Sequence, residues 1–193
     1  SPKSPIKSLA DLKAATQKGD GVTFASAGAG TLAHLTGVRF LKAINGKGVH
    51  VAYKNNPEGL QALAGGFTEM MFPSAREAAN LSKDGLVRVI AVTSKERLKS
   101  LPDVPTMTEL GLPQIDSRLW YSYVAPAGTP QDIVNRLATL IAGVVKSPGF
   151  QERFVTASFQ PDIMTGEALK SYMEKTAALF KELIVENNIK FTD

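Results

Sequence analysis

Short apolar runs alternate along the chain with stretches whose apolar residues recur every three or four positions. The run Val22 to Ser26 is followed by Leu32, Leu35, Val38, Phe40, Leu41 and Ile44, up to Asn45-Gly46. This spacing predicts a buried strand, a tight small-residue turn and an amphipathic helix. The same alternation continues with a second strand at Val49 to Tyr53, a helix ending at Gly65-Gly66, a third strand at Thr68 to Phe72 and a short helix from Pro73 to Leu81. Leu86 to Thr93 reads as a fourth strand, apolar enough to be buried on both faces. Strands alternating with helices imply a parallel sheet with right-handed crossovers, an α/β architecture.

Punctuation residues set the expected boundaries. Ser8 is a good N-cap for a helix from Leu9 to Lys18 that Gly19 and Gly21 stop. Asn56 reads as a cap with Pro57 at the first helical position. Arg97 to Pro113 is loop-rich, with Pro105 opening a short helix, and Ile115 to Ala125 is extended. Pro126 to Pro130 forms a turn with Thr129 as cap. A helix then runs to Val145 or Lys146, followed by a short helix from Pro148, a strand near Ser158 to Ile163 and a closing helix from Thr165 to Asn188. Residues 20 to 113 look like a self-sufficient α/β unit. Residues 120 to 193 offer long helices with little sheet to pack on, so their partner sheet is expected to lie outside the sequence.

Composition narrows the function classes. A chain of 193 residues with a formal charge of +4 has room for a core but shows no basic stripe with aromatic platforms, so no nucleic-acid partner is expected. With no cysteine and only two histidines, disulfides, thiolate chemistry and a metal site are not expected. No apolar run is long enough to span a membrane, and no signal-peptide pattern is present. The start, Ser1-Pro2-Lys3-Ser4-Pro5, reads as an extended connector.

The chemistry points to the turn after the first strand. A helix that begins just beyond a Gly-rich turn aims unpaired N–H groups and the positive end of its dipole at an anion. Gly28 and Gly30 can take positive φ and let a ligand approach bare backbone. Ser26 and Thr31 add hydroxyls. No Lys or Arg sits in the loop, which suits a carboxylate better than a polyphosphate. No Gly-Lys-Ser/Thr follows, as a P-loop would need, and no third Gly completes a dinucleotide fingerprint. From these residues alone, a purely structural turn remains the competing reading. Likewise Ser26 is either a ligand donor or a strand-end hydroxyl, and Thr31 a donor, a helix cap or both. His34, one turn below on the same face, either reaches the anion or holds the loop by a hydrogen bond. His50 reads as a surface or strand-start residue, and Met70 and Met71 as core. Trp120 and Tyr121 either line a cleft or pack a hinge. Ser26 with His34 lacks the elbow motif and the orienting acid of a hydrolase, so no catalytic residue is assigned.

The ordered set Ala25-Ser26-Ala27-Gly28-Ala29-Gly30-Thr31 with His34-Leu35, Ala52-Tyr53-Lys54, Leu63-Ala64-Gly65-Gly66, Met71-Phe72, Arg88 to Thr93, Leu101 to Thr106 and Val124 to Pro130 spans essentially the whole chain. It resembles the Bug-type receptors of tripartite tricarboxylate transporters, periplasmic solute-binding proteins of the type 2, Venus-flytrap fold. The resemblance implies two α/β lobes closing on a small mono-, di- or tricarboxylate, no cofactor, no enzyme activity, a periplasmic location and membrane transporter subunits as partners. It implies that residues 8–118 are one complete lobe carrying the anion loop and that residues 119–193 are the C-terminal part of the other. The first half of that other lobe, with its Pro-Gly-Gly-type loop and signal peptide, would lie outside this sequence. Carried over, the anion loop falls on Ser26, Ala27, Gly30 and Thr31, with further contacts near Tyr53 and on the loop after Phe72, at Pro73 and Ser74; Gly28 and His34 complete the expected ligand-binding set from the reading of the turn itself. Pro73-Ser74 replaces an acidic or amide residue of many members, and Asn55 replaces a Gly, both near the expected pocket. The orphan helices are expected to self-associate. A rival reading is the effector-sensing domain of a regulator.

Overall fold

In the computed structural model, which describes residues 1–156 and 162–190, the predicted alternation closes into a parallel sheet. The elements are α1 (Leu9–Thr16), β1 (Val22–Ser26), α2 (Leu32–Ala43), β2 (Gly48–Ala52), α3 (Asn56–Gly65), β3 (Met70–Met71) and α4 (Ala75–Lys83), then α5 (Gln131–Lys146), α6 (Pro148–Thr156) and α7 (Gly166–Glu186). The strand order is β2-β1-β3, with both pairings parallel. The chain winds outward from β1 to β2, then crosses back over β1 to β3. Two right-handed crossovers of opposite direction put α2 and α3 on opposite faces. Side chains along β1 show this: a Cβ on Gly37 of α2 would come within 2.6 Å of the Phe24 ring, whereas Gly59 of α3 lies over Ala25 and Met71. The winding reverses between β1 and β3, and the crevice beyond the carboxyl ends of such strands is where open α/β sheets bind ligands.

The main core joins α1, α2 and β1 through Leu9, Leu12, Val22, Phe24 and Phe40, closed from outside by Ile115. A smaller cluster of Leu60, Leu63 and Val87 covers the α3 face. Each such side chain contributes about 1.5–3 kcal/mol by leaving water.

Several boundaries differ from expectation for identifiable reasons. Ser8 does cap α1, accepting from the Asp11 N–H at 3.1 Å. The cap of α3 is Asn55 rather than Asn56; its side chain accepts from the Glu58 N–H at 3.0 Å. Pro57 therefore stands one place further in, which costs nothing because that N–H would be unpaired anyway. Thr129 does not cap α5: its hydroxyl donates back to the Pro126 carbonyl at 2.8 Å, and α5 has no side-chain cap. The third strand shrinks to two residues, and the predicted strand at 86–93 forms no ladder beyond a parallel bridge between Val92 and Thr106. Val87 and Val92 are buried nonetheless. Apolar content secures burial, but a ladder also needs a neighbour with a free edge, and the short β3 offers little. The helix expected from Pro105 is a single turn closed by Thr106 and Glu109, whose side chains accept from each other's backbone N–H at 3.1 and 2.7 Å. Most of the strand predicted near Ser158 to Ile163 lies outside the described residues.

The extended segment after Ile115 is tied to the sheet unit by Thr93 Oγ1, which donates to the Ser117 carbonyl at 2.6 Å, and by the Thr36–Ser117 hydroxyl pair at 2.6 Å. It then leaves the core. Trp120 meets Tyr172 of α7 edge-on with centroids 6.0 Å apart, and the Arg118 guanidinium lies 5.6 Å over the same ring, so Trp120 packs the crossover, whereas Tyr121 is 83% exposed. Helix α7 returns onto α2, burying Leu183 and pairing Glu186 with Lys42 at 2.6 Å. Helix α5 buries no residue. Ile133, Leu137, Leu140 and Val144, spaced down one face, are 46%, 45%, 57% and 57% exposed. Together they form an uncovered apolar stripe on α5.

Candidate anion-binding site

The loop between β1 and α2 sits at the carboxyl edge of the central strand, where the winding reverses. Gly28 and Gly30 have φ of 124° and 76°, a region that side-chain-bearing residues rarely adopt, which is how the chain turns within a few residues from strand into helix. Thr31 is the N-cap, with φ −65° and ψ 158°. Its hydroxyl donates to the Gly28 carbonyl at 2.8 Å and stands 3.5 Å from the His34 N–H. The N–H groups of Ala27, Ala29, Leu32 and Ala33 have no acceptor among the described residues. The first turn of α2 carries no acidic residue to neutralise the helix end. Residues 27–33 are all half-buried rather than sealed in the core. The chemistry available here is acceptance of a negative charge by oriented dipoles.

A buried polar network lies behind the loop. Ser26 is 0% exposed. Its Oγ donates to the Gly28 carbonyl at 2.8 Å, accepts from the Gly28 N–H at 3.2 Å and lies 2.7 Å from His50 Nε2. His34 Nδ1 accepts from the Gly30 N–H at 3.0 Å. The two imidazoles are stacked, with centroids 3.6 Å apart and planes 7° off parallel, and Phe24 lies 5.8 and 5.1 Å from them. Burial lowers the pKa of His34; burial and then the His34 charge push His50 down to about 4. Both rings are therefore neutral near pH 7.

The expected site residues thus divide. Ala27, Gly28, Gly30 and Thr31 form the open loop. His34 holds that loop by a hydrogen bond, the second of its two sequence readings. The Ser26 hydroxyl is turned inward and its donor is engaged. Tyr53 arrives beside β1 because its N–H donates to the Ser26 carbonyl at 2.8 Å. Phe72 leans on Phe40 at 5.6 Å, at the edge of the main core. Pro73 is half-buried. Ser74 caps α4 in a reciprocal box with Glu77, its Oγ donating to Glu77 Oε2 at 2.7 Å. Tyr53 and Phe72 to Ser74 follow β2 and β3 as the loop follows β1, so all lie at one edge of the sheet.

His50 is the residue that the sequence reading misplaced. It stands in the middle of β2, paired in register with Phe24, and so points to the α2 face below Ser26. The Ser–His contact that forms is Ser26–His50, not Ser26–His34. The available signal was the period of two in Gly48-Val49-His50-Val51-Ala52, which sets His50 on one face between small neighbours. A concavity of about 1090 Å³, open to solvent, runs along the β2 edge between α2 and the end of α7, with His34 and His50 in its wall. It lies behind the loop rather than at the strand ends. Among the described residues no group of three His, Cys, Asp or Glu side chains could hold a metal, and no helix is long and apolar enough to cross a membrane.

The described residues thus form a doubly wound α/β unit with unpaired backbone N–H groups at its switch point, followed by further helices. Residues 1–189 match the tripartite tricarboxylate transporter family receptor. The chain belongs to that family. It is 32% identical over 184 residues to a UPF0065 protein of Agrobacterium vitis, covering 91% of this chain and 53% of that one. It superimposes on an R. palustris protein solved with adipate at a TM-score of 0.81 and 25% identity, over 97% of this chain and 63% of that one. On the periplasmic binding protein BugD the TM-score is 0.76 at 25% identity, over 98% and 64%. The fold is therefore that of the periplasmic binding proteins. The chain spans about half the length of the curated relatives it matches.

Proposed function

We propose that this chain is the larger part of a periplasmic receptor that captures a small carboxylate for a tripartite tricarboxylate transporter. Residues 8–118 form one lobe and residues 119–193 the C-terminal part of the other. The observation that carries the reading is the row of unpaired N–H groups at Ala27, Ala29, Leu32 and Ala33, at the head of a helix without a first-turn acid. One carboxylate sits against these donors, with Gly28 and Gly30 permitting close approach and Thr31 at the rim. Ser26 and His34 belong to the site by bracing that loop. Tyr53, Phe72, Pro73 and Ser74 form the neighbouring wall and bear on ligand length. The similarity to a protein solved with adipate favours a dicarboxylate. The other lobe takes the ligand's far end, and closure about the crossover near Trp120 presents the closed form to the membrane subunits.

The test is thermal unfolding of this chain and of the whole protein against mono-, di- and tricarboxylates. A ligand specific to the native state adds about 2.7 kcal/mol at a hundredfold excess over Kd. The expected result is a shift with one dicarboxylate in the whole protein and a smaller or absent shift in the isolated chain. No shift with any carboxylate in the whole protein overturns the reading.

A further inference from the structure

The stacked histidines behind the loop are two titratable groups to which the receptor reading gives no more than a bracing role. The hydrogen bonds fix their protonation. A ring nitrogen that accepts from the Gly30 N–H carries no proton, so His34 is the Nε2–H tautomer. A hydroxyl has one donor and two acceptor positions. Ser26 Oγ–H is used on the Gly28 carbonyl, so Oγ accepts from both the Gly28 N–H and His50, which makes His50 an Nε2–H tautomer as well.

The two rings respond differently to acid. A proton added to His50 goes to Nδ1 and leaves its Nε2–H on Ser26. A proton added to His34 must go to Nδ1, the atom that receives the Gly30 N–H, and that bond is then lost. With centroids 3.6 Å apart, two imidazolium charges repel strongly, so the pair takes up one proton before the other. Of the two, only protonation of His34 reaches the loop, because its Nδ1 holds Gly30 whereas the His50 bond to Ser26 runs through Nε2. The pair is not sealed from protons, since both rings line the open cleft. The other charged groups of that cleft are Asp20 before β1, Lys42 on α2, Lys47 before β2, Glu186 on α7 and Lys190 beyond it. Lys42 is neutralised by Glu186 at 2.6 Å.

We infer that His34 and His50 are positioning residues for the anion loop, and that protonation of His34 releases Gly30 and weakens carboxylate binding. The attraction of the new imidazolium for the anion works in the other direction. It is screened by the water of the cleft, whereas the Gly30 bond is lost outright, so the geometric effect sets the sign. The binding half of this inference rests on the receptor reading; the loop half does not.

The experiment follows the Gly30 amide and both imidazoles by heteronuclear NMR in the 193-residue chain between about pH 7.5 and about pH 4.5, the range around an ordinary His pKa, with and without adipate. His34→Asn keeps a non-titrating acceptor near the Nδ1 position, and His50→Gln keeps an N–H donor for Ser26. The Gly30 resonance is expected to move with the His34 titration in the parent and in His50→Gln, and to stay fixed in His34→Asn. In the whole protein at pH 7.5 adipate shifts the amides of residues 27–33, and its affinity falls by up to about tenfold per pH unit below the His34 pKa, the limit for one linked proton, and falls less in His34→Asn, where only the ligand's own carboxyls take up protons. A Gly30 amide indifferent to pH, or one that still titrates in His34→Asn, overturns the inference. Loss of adipate affinity on acidification that is unchanged in His34→Asn also overturns it. The adipate arm is repeated in the whole protein; if adipate shifts nothing there at any pH, the receptor reading fails for this ligand, while the Gly30 titration still decides the loop.

Discussion

Replacing Ser26 by Ala distinguishes a hydroxyl that braces the loop from one that donates to a ligand. The side chain is 0% exposed, and its Oγ meets the Gly28 carbonyl at 2.8 Å, the Gly28 N–H at 3.2 Å and His50 Nε2 at 2.7 Å. Alanine leaves the Gly28 carbonyl served, because Thr31 Oγ1 still donates to it at 2.8 Å. The Gly28 N–H and the His50 Nε2–H lose their acceptor. A buried donor left unpaired costs about 1–3 kcal/mol. Gly28 is half-buried and His50 borders the open cleft, so water recovers part of that, and the sum comes to about 2 kcal/mol. For a chain of this size such a loss lowers Tm by about 4–8 °C. Urea unfolding followed by circular dichroism measures it directly. A loss below about 0.5 kcal/mol, within the range of ordinary surface substitutions, refutes the bracing network. Unchanged stability with weakened carboxylate affinity would return Ser26 to the role of direct donor.

Three further outcomes are expected. The folded pKa of His50, about 4, lies below its unfolded value, so the stability it contributes is complete above about pH 6.5 and is lost as pH falls toward 4. Discounted for the ring's partial exposure to the cleft this is about 1–2 kcal/mol, and urea midpoints across that window should flatten in His50→Gln. Asp11 and Glu109, both depressed by hydrogen bonds, act only at lower pH. Gly37→Ala gains about 1 kcal/mol of helix propensity but drives a Cβ to 2.6 Å from Phe24, an overpacking that costs about 1–3 kcal/mol. The net is destabilising by equilibrium unfolding, and adding Phe24→Leu should restore most of it. Finally, the isolated chain should associate with rising concentration through the α5 stripe. Replacing Leu137 and Leu140, 45% and 57% exposed, with Lys should abolish association in sedimentation velocity while leaving stability within about 0.5 kcal/mol; a chain that is monomeric throughout contradicts this.

The strand–turn–helix unit was legible because every local signal in it agrees. Val22 to Ser26 is too short and apolar for anything but a strand, Gly28 and Gly30 supply the positive φ, and Leu32 to Ile44 keeps a helical period. The segment 86–93 was misread because its apolar residues speak only to burial, which it achieves. Pairing depends on the length of β3, which is set elsewhere. The shift of the α3 cap from Asn56 to Asn55 has the same character. Two adjacent Asn residues are equal candidates in sequence, and the choice falls to the one whose side chain reaches the Glu58 N–H.

His50 was illegible for a deeper reason. Its surroundings are created by the register of β2 on β1, which pairs His50 with Phe24 and Ala52 with Ser26. The helix that separates the two strands in sequence then lays His34 across the same face. Because side chains alternate along a strand, a slip of one residue would turn His50 to the α3 face and set Val49 or Val51 beneath the serine. The loop would keep its glycines and its cap but lose the donor that fills Ser26. A site built from backbone N–H groups carries little chemistry in its own side chains, so its precision has to come from residues that hold the backbone still. Here they come from two strands and a helix, and only their assembly in the sheet brings them together.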